Sequence, residues 1–385
     1  MIRPAERLES IQEYYFSTKL REVRSLTEAG RPIINLGIGS PDLRPSTLVI
    51  EAIKASLDKP FSHMYQSYQG THDFRGAIAT FYKNQYDVVV DSNSEILPLM
   101  GSKEGILQIS LAFLNKGDAV LIPNPGYPTY TSVTNLVGAT PLFYDLTSEN
   151  GWQPDFEALE QEDLSKVKIM WINYPHMPTG ANALSNTFDR LIAFAKKHQI
   201  LLVNDNPYSF ILNETPQSIL QREGAMDCAL ELNSLSKSFN MAGWRVGMLL
   251  GKQRYIQEVL KVKTQSDSGM FFGIQQGAIA ALSLGDEWFK VQNKIYEERR
   301  KFVWLLAEEL GCKVTKNATG LFVWAQVPTK MTAEEMTDKL LYEYDIFVAP
   351  GTVFGTNGEG FIRFSLCVNS ALIGTAIDRI KKRKS

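Results

Sequence analysis

The sequence predicts an α/β fold: a large domain with a mostly parallel sheet covered by helices, and a smaller α+β domain built from both chain ends. Three observations lead to this prediction. The chain has 385 residues, more than the roughly 250 to 300 at which a single core usually stops growing. Short apolar runs alternate with stretches of helical spacing through the middle of the chain. A long amphipathic segment then leads into a shorter group of strands and helices.

The apolar runs in the middle of the chain are expected to be strands of one sheet. They are almost continuously apolar, which is typical of strands buried on both faces, and the helical stretches between them imply right-handed crossovers. The expected strands cover residues 119–123, 141–146, 167–174, 200–205, 229–235 and 246–250.

The smaller unit is expected to begin with one long helix. From about Asp286 to Leu310, apolar residues recur at helical spacing among charges without a Gly or Pro, and Gly311 fits a C-terminal cap. The remaining elements should follow in order: a strand at 320–324, a helix that opens near Thr332, a strand at 361–366 and a final helix.

The domain boundaries follow from this order of elements. We expect the N-terminal segment to pack with the C-terminal unit. The predicted large domain therefore covers residues 46–290, and the small domain covers residues 1–45 and 291–385.

The composition excludes several functional classes. The formal net charge is −2 and the one basic run, residues 381–384, reads as a solvated helix end, so nucleic-acid binding is not expected. No apolar run approaches the ~18 residues of a membrane span, and the N-terminus has no signal-peptide pattern. The three cysteines are far apart and form no Cys-x-x-Cys pair, so neither disulfides nor a zinc site is expected. A cytoplasmic protein fits these features best.

The most informative segment begins at Asn233 and reads NSLSKSFNMAGWRVG. Lys237 lies among hydroxyl side chains just past a predicted strand, where ligands of open α/β sheets bind. A lysine forms a Schiff base readily when desolvation or a neighbouring cation lowers its pKa. Arg245, eight residues further on, and the nearby Ser234 and Ser236 offer donors for a phosphate.

This segment closely resembles the lysine signature of the class I/II pyridoxal-phosphate-dependent aminotransferases, which belong to the aspartate aminotransferase fold family (fold type I). The resemblance covers roughly residues 33–366 and implies that Lys237 holds pyridoxal 5'-phosphate as a Schiff base. A bare Ser-Lys-Ser triplet is most often a solvated loop. The run Gly243-Trp244-Arg245 at the family's offset, together with four further matches, favours the catalytic interpretation.

The second match comprises Asp205, at the end of a predicted strand, and Tyr208. By resemblance, the Asp205 carboxylate keeps the cofactor's ring nitrogen protonated, as an electron sink requires, and Tyr208 donates to the ring's phenolic oxygen. An Asp at a strand end is by itself more often a helix cap, but its spacing to Lys237 favours the catalytic role.

Two further matches concern the cofactor's phosphate and ring. Ser102 and Lys103 stand in MGSKEGIL, which opens a predicted helix whose free amides would attract phosphate, although a Gly-Ser start is also an ordinary cap. Tyr127 stands in PNPGYPTY, which resembles the family's turn that places an aromatic ring over the cofactor. The alternative for Tyr127 is a buried turn aromatic.

Substrate recognition is expected at Arg363, in a predicted strand, because a planar guanidinium binds a carboxylate through two hydrogen bonds. By resemblance it holds the substrate α-carboxylate; the alternative is a structural ion pair at a sheet edge. Gly39, in NLGIGSPD, resembles a segment that lines the site. Tyr65 matches a tyrosine that reaches the phosphate in the neighbouring subunit, which implies a homodimer with shared sites; Tyr68 is a competitor for this role.

The chain departs from the family at Met177, where the family usually has an Asn that donates to the cofactor's phenolic oxygen. His176 and Asn173 are alternative donors, and neither is assigned. Lys263 lies roughly where some relatives place an arginine of the partner subunit, but a plain surface lysine is the favoured interpretation. The other histidines show no metal-ligand spacing, no metal is expected, and they are interpreted as surface or cap residues: His63, His72 and His198.

The predicted function is the transfer of the amino group of an L-amino acid to a 2-oxo acid, with ping-pong kinetics. The alternative within enzymes is a carbon–sulfur β-lyase that uses the same cofactor and lysine. A transcription regulator's cofactor-sensing domain would need a DNA-binding module, for which the segment before Gly37 is expected to be too short.

Overall fold

The computed structural model describes residues 2–8, 13 and 15–384. Residues 1, 9–12, 14 and 385 fall within the predicted small domain and lie outside the described residues. The helices are α1 Tyr15–Glu28, α2 Thr47–Leu57, α3 His72–Tyr86, α4 Ser102–Phe113, α5 Pro128–Leu136, α6 Phe156–Leu159, α7 Thr187–His198, α8 Leu235–Ser238, α9 Gln253–Ser266, α10 Phe272–Leu282, α11 Gly285–Glu309, α12 Ala333–Tyr344 and α13 Ser370–Lys384. No helix in the described part of the chain is long and apolar enough to span a membrane.

The strands of the described residues form a seven-stranded sheet, a four-stranded sheet and a two-stranded pairing. They are β1 Ile34–Asn35, β2 Ile96–Leu99, β3 Ala119–Asn124, β4 Thr140–Asp145, β5 Val167–Ile172, β6 Leu201–Asp205, β7 Ala229–Ser234, β8 Gly247–Gly251, β9 Lys313–Val314, β10 Phe322–Gln326, β11 Ile346–Phe347, β12 Ala349–Pro350 and β13 Phe361–Ser365.

The seven-stranded sheet has the order β2-β8-β7-β6-β5-β3-β4. All neighbours among β7, β6, β5, β3 and β4 are parallel, and β8 is antiparallel to both β7 and β2. Consecutive strand residues such as Leu121 and Ile122 belong to different core clusters, so helices cover both faces of the sheet. The predicted α/β class with a mostly parallel sheet is confirmed.

Two features of this sheet differ from the expectation. Strand β2 was not predicted, because it is only four residues long and contains Pro98, which counts against a strand in a sequence pattern. It lies at the edge of the sheet, where a proline is tolerated. Strand β8 is antiparallel because the chain between β7 and β8 contains only the single turn α8 and a short 3-10 turn, so it reverses direction instead of crossing over.

The two ends of the chain meet in a second core. Strand β1 pairs in parallel with β11, and the Ser365 amide donates to the Leu36 carbonyl at 2.7 Å. Phe16, Val23 and Leu36 are buried in the same apolar cluster as residues of β10 and β13. The domain boundaries stay a prediction, and this shared core supports them; α11 runs across the boundary proposed at residue 290.

The carboxyl ends of the parallel strands position the site. Asp205 is the last residue of β6 and Ser234 is the last residue of the neighbouring β7, and Lys237 follows in α8. The carboxyl ends of parallel strands meet at one edge of a sheet, so these side chains come together there.

We predict that Leu36→Ala lowers the free energy of unfolding by about 2 to 5 kcal/mol, because the Leu36 side chain is fully buried between the two chain ends. Denaturant unfolding would measure this loss. Leu372 on α13 is 43% exposed, so Leu372→Ala is the matched control and should cost less than about 0.5 kcal/mol. Equal losses in the two variants would contradict the shared core.

Candidate active site

A cavity of about 350 Å³ lies where the seven-stranded sheet faces the unit built from the chain ends. Among the residues that line it are ten of the predicted site residues: Gly39, Ser102, Lys103, Tyr127, Asp205, Tyr208, Ser234, Lys237, Arg245 and Arg363. Tyr65 does not line this cavity and is 90% exposed. The structure therefore brings together every predicted site residue except the one that is expected to act on a neighbouring subunit.

Lys237 projects from α8 into the cavity. Its Nζ donates a hydrogen bond to the backbone carbonyl of Gly39. Burial lowers the pKa of the Lys237 amine, and the positive charges of Arg363 and Arg245 act in the same direction. A lowered pKa increases the fraction of the amine that is neutral, and therefore nucleophilic, near neutral pH.

Asp205 lines the same cavity and is buried at the end of β6. Its Oδ2 accepts a hydrogen bond of 2.9 Å from the Tyr130 hydroxyl, while its Oδ1 has no partner among the described residues. Burial raises the pKa of Asp205 to about 7, and the Tyr130 hydrogen bond and the Lys237 charge oppose that shift. An unpaired oxygen of a buried carboxylate fits a ligand that brings a cationic N–H group.

Tyr130 was not assigned a role from the sequence. It stands three residues after Tyr127, so both rings lie about one helical turn apart near the start of α5, and this spacing was the available signal. Its ring stacks on Trp171 with centroids 4.9 Å apart and planes 5° apart. The stacked indole holds the Tyr130 hydroxyl in place against Asp205.

The other end of the cavity is cationic. Gly101 has φ of 92°, and a Cβ there would approach the Arg245 guanidinium to 2.1 Å. Ser102 begins α4, and Gly101 caps this helix without a side-chain hydrogen bond. Burial lowers the pKa of Lys103, and the charge of Arg245 adds to this effect. Two cations beside a helix N-terminus fit an anion such as a phosphate.

Arg363 lies at the wall of the cavity, on β13, and is buried. Its Nη2 donates to the Gly37 carbonyl at 2.8 Å. Its guanidinium carbon lies 3.9 Å from the ring centre of Phe322, 4.6 Å from that of Phe354 and 5.4 Å from that of Phe16. The three rings were not predicted to line the site, because no local pattern shows that such distant segments converge.

Met177 also lines the cavity, and its sulfur lies 3.4 Å from Arg363 Nη1. Asn173 accepts a hydrogen bond of 2.8 Å from the Met177 amide and donates to the backbone carbonyl of Asp205. The His176 ring contacts the Thr179 hydroxyl and the Pro125 carbonyl, and burial lowers its pKa to about 3. Asn173 and His176 are the candidate donors to the cofactor's phenolic oxygen. Their side-chain nitrogens therefore already have hydrogen-bond partners within the chain.

One expectation was wrong. Lys263 is not a surface lysine: its side chain is 2% exposed and forms an ion pair of 2.6 Å with Asp267, which is also buried. The i,i+4 spacing at the end of α9 carried the signal for this pair. The histidines outside the site are exposed or partly exposed, with His198 bonded to Glu160. Within the described ranges, no group of three or more His, Cys, Asp or Glu side chains has the arrangement of a metal site.

We predict that the stability of the cofactor-free protein, compared with that of Asp205→Asn, falls as the pH rises from about 5 to about 8. The folded-state pKa of Asp205 is raised to about 7, so its stabilising contribution is fully present below the unfolded value of 3.8 and is lost as the pH rises through 7. Denaturant unfolding at both pH values would measure the difference. Tyr130→Phe should extend this loss of stability to higher pH, because it removes the hydrogen bond that opposes the rise in the Asp205 pKa. A pH-independent difference would contradict the assignment.

Comparisons with known proteins show which family the chain belongs to. Residues 31–380 match the model of the family described as aminotransferase class I and II. The chain is 39% identical over 386 residues to the LL-diaminopimelate aminotransferase of Aquifex aeolicus, with 100% of both chains covered. The apo-BacF structure from Bacillus subtilis matches with a TM-score of 0.96 at 36% identity and covers 100% of this chain and 99% of that one. An aminotransferase structure from Staphylococcus aureus matches with a TM-score of 0.90 at 31% identity and 98% coverage of both chains. The chain is therefore an amino-group-transferring enzyme and belongs to the aminotransferase class I and II family, as its sequence predicts.

Proposed function

We propose that this enzyme moves the amino group of an L-amino acid to a 2-oxo acid with pyridoxal 5'-phosphate bound covalently at Lys237. The observation that carries the proposal is the position of two ionisable groups in one cavity: the Lys237 amine and the buried Asp205 carboxylate, whose Oδ1 has no partner in the described part of the chain. When bound, the cofactor supplies an electron sink for negative charge at the substrate α-carbon.

The residues that would hold the cofactor divide by the part that they contact. Ser102, Lys103, Ser234 and Arg245 form the cationic, hydroxyl-rich end of the cavity and would bind the phosphate. Three side chains would face the ring: Asp205 Oδ1 would accept a hydrogen bond from the ring nitrogen, the Tyr208 hydroxyl would donate to the phenolic oxygen, and Tyr127 would cover one face of the ring.

The residues that would act on the substrate lie beside this set. Arg363 would bind the α-carboxylate through two hydrogen bonds, and Gly37 and Gly39 contribute carbonyls that orient Arg363 and Lys237. Once the substrate amine has displaced it, the freed Lys237 Nζ would take up the proton from the substrate α-carbon, because burial favours the neutral form of the amine. It would pass a proton to the carbon that receives the amino group in the same half of the cycle, and would move a proton in the opposite direction in the second half. The aromatic rings around Arg363 would shield the bound carboxylate from water.

We propose a homodimer in which Tyr65 reaches the phosphate bound by the neighbouring subunit. Tyr65 lies in a segment with several exposed apolar side chains, which supports an interface here: Leu57, Phe61, Met64, Tyr65 and Tyr68. We also propose a cytoplasmic location, which the three free, buried cysteines support.

The covalent bond to Lys237 can be tested directly. After borohydride treatment of the cofactor-loaded enzyme, peptide mass mapping should find a pyridoxyl group on Lys237, and Lys237→Ala should lose both the label and amino transfer. Lys301 is exposed on α11, so Lys301→Ala is the control and should keep both. Wild-type protein that remains unlabelled would overturn the proposal. Pyruvate and ammonia released from cystathionine, without amino transfer, would instead indicate a β-lyase.

We predict that Met177→Asn lowers the pH at which the bound cofactor changes absorbance by about one pH unit. Met177 has no N–H donor for the phenolic oxygen, so the proton at Lys237 Nζ should be held to a higher pH than it is beside an Asn. A spectral titration of the loaded enzyme measures the midpoint. Met177→Leu has a similar volume and no donor, so it should keep the wild-type midpoint. An unchanged midpoint in the Asn variant would refute this role.

A further inference from the structure

The segment 36–44, which we call the strap, connects β1 to α2 and touches both chemical groups that act on the substrate. The Gly37 carbonyl accepts a hydrogen bond of 2.8 Å from Arg363 Nη2. Two residues later, the Gly39 carbonyl accepts a hydrogen bond from Lys237 Nζ. A single stretch of backbone therefore orients both the guanidinium and the amine.

The strap lies in close contact with aromatic side chains. A Cβ at Gly37 would come within 2.6 Å of the Phe347 ring, and a Cβ at Gly39 would come within 2.3 Å of the Phe322 ring. Real Cβ atoms do not approach this closely, so a larger residue at either position would force the neighbouring ring or the strap to move. Because both carbonyls belong to the same short segment, a small displacement of the strap would move each of them relative to its donor.

Each end of the strap is fixed by different contacts. At its start, the Leu36 amide donates to the Phe347 carbonyl at 2.8 Å, and the Leu36 carbonyl accepts from Ser365. At its end, Asp42 receives two hydrogen bonds from Arg299, of 2.6 and 2.9 Å. Fork-to-fork pairing of this kind constrains direction as well as distance.

Arg299 connects the strap to the strand that carries Arg363. It projects from α11, its side chain is 4% exposed, and its Nη1 also donates to the Leu366 carbonyl at 3.0 Å, just after β13. The same guanidinium therefore contacts the end of the strap and the end of the Arg363 strand, so it can fix the distance between them.

We propose that Arg299 and Asp42 are positioning residues, whose ion pair holds the strap so that its carbonyls aim Arg363 at the substrate carboxylate and Lys237 at the substrate α-carbon. Neither residue lines the cavity, so they act through Gly37 and Gly39. This inference rests on the proposed function, because it assigns a consequence to the roles of Arg363 and Lys237.

Asp42→Asn tests the proposal with little change of shape. In the cofactor-loaded enzyme, with the best substrate among L-alanine, L-glutamate and L-phenylalanine, we expect KM to rise about tenfold, since a misdirected Arg363 binds the carboxylate less well. The deuterium isotope effect on kcat with the α-deuterated substrate should also increase, because a misaligned Lys237 slows proton transfer. Cofactor content and the unfolding midpoint should remain close to those of the wild type.

The control is Asp345→Asn, which breaks a comparable ion pair with Arg31 at 2.7 Å near the same chain ends. That pair contacts neither Lys237 nor Arg363, so KM and the isotope effect should stay at the wild-type values. If Asp42→Asn fails to bind the cofactor, Arg299→Lys tests the proposal instead, because it keeps the charge but loses the paired hydrogen bonds to Asp42. A raised KM and a larger isotope effect in Arg299→Lys would support the proposal.

Two results separate the failure of this inference from the failure of the proposed function. A wild-type enzyme that is labelled at Lys237 and active, with Asp42→Asn and Arg299→Lys indistinguishable from Asp345→Asn, would overturn the strap's role alone. A wild-type protein with neither label nor amino transfer would overturn the proposed function on which the inference rests.

Discussion

The burial of charge at the end of β6 is the constraint on which the rest of the site depends. A carboxylate out of water needs a partner, and among the described residues Asp205 accepts a side-chain hydrogen bond only from the Tyr130 hydroxyl, so burial raises its pKa to about 7. The Lys237 amine in the same cavity has its pKa lowered for the same reason. A ligand with a cationic N–H group would therefore pair with the Asp205 carboxylate, and a ligand with a carbonyl carbon would react with the Lys237 amine.

The fold resolves this constraint by combining two structural units. The parallel strands β6 and β7 deliver the acid and the lysine to one edge of the seven-stranded sheet. The chain ends then supply Arg363 and the strap, whose carbonyls accept hydrogen bonds from the Arg363 and Lys237 side chains. Residues from the N-terminal, central and C-terminal parts of the chain therefore line one cavity.

The sequence predicts most of the site because most of its residues stand at strand ends or helix starts, which local patterns mark. Asp205, Lys237 and Ser102 are of this kind, and the order of parallel strands brings them together. It does not predict the rings around Arg363 or the Asp42–Arg299 pair, because these depend on contacts between distant segments. The burial of Lys263 was not predicted for the related reason that burial depends on packing between distant segments. The role of exposed Tyr65 depends on contacts with a second subunit.

The protonation of the cofactor's ring nitrogen is the most direct test of the Asp205 assignment. The enzyme would be loaded with pyridoxal 5'-phosphate labelled with nitrogen-15 in the ring, and the nitrogen chemical shift would be followed by NMR across neutral and mildly alkaline pH. The Asp205 assignment predicts a shift typical of a protonated ring in the wild type and of an unprotonated ring in Asp205→Asn. An unprotonated ring nitrogen in the wild type at neutral pH would contradict it.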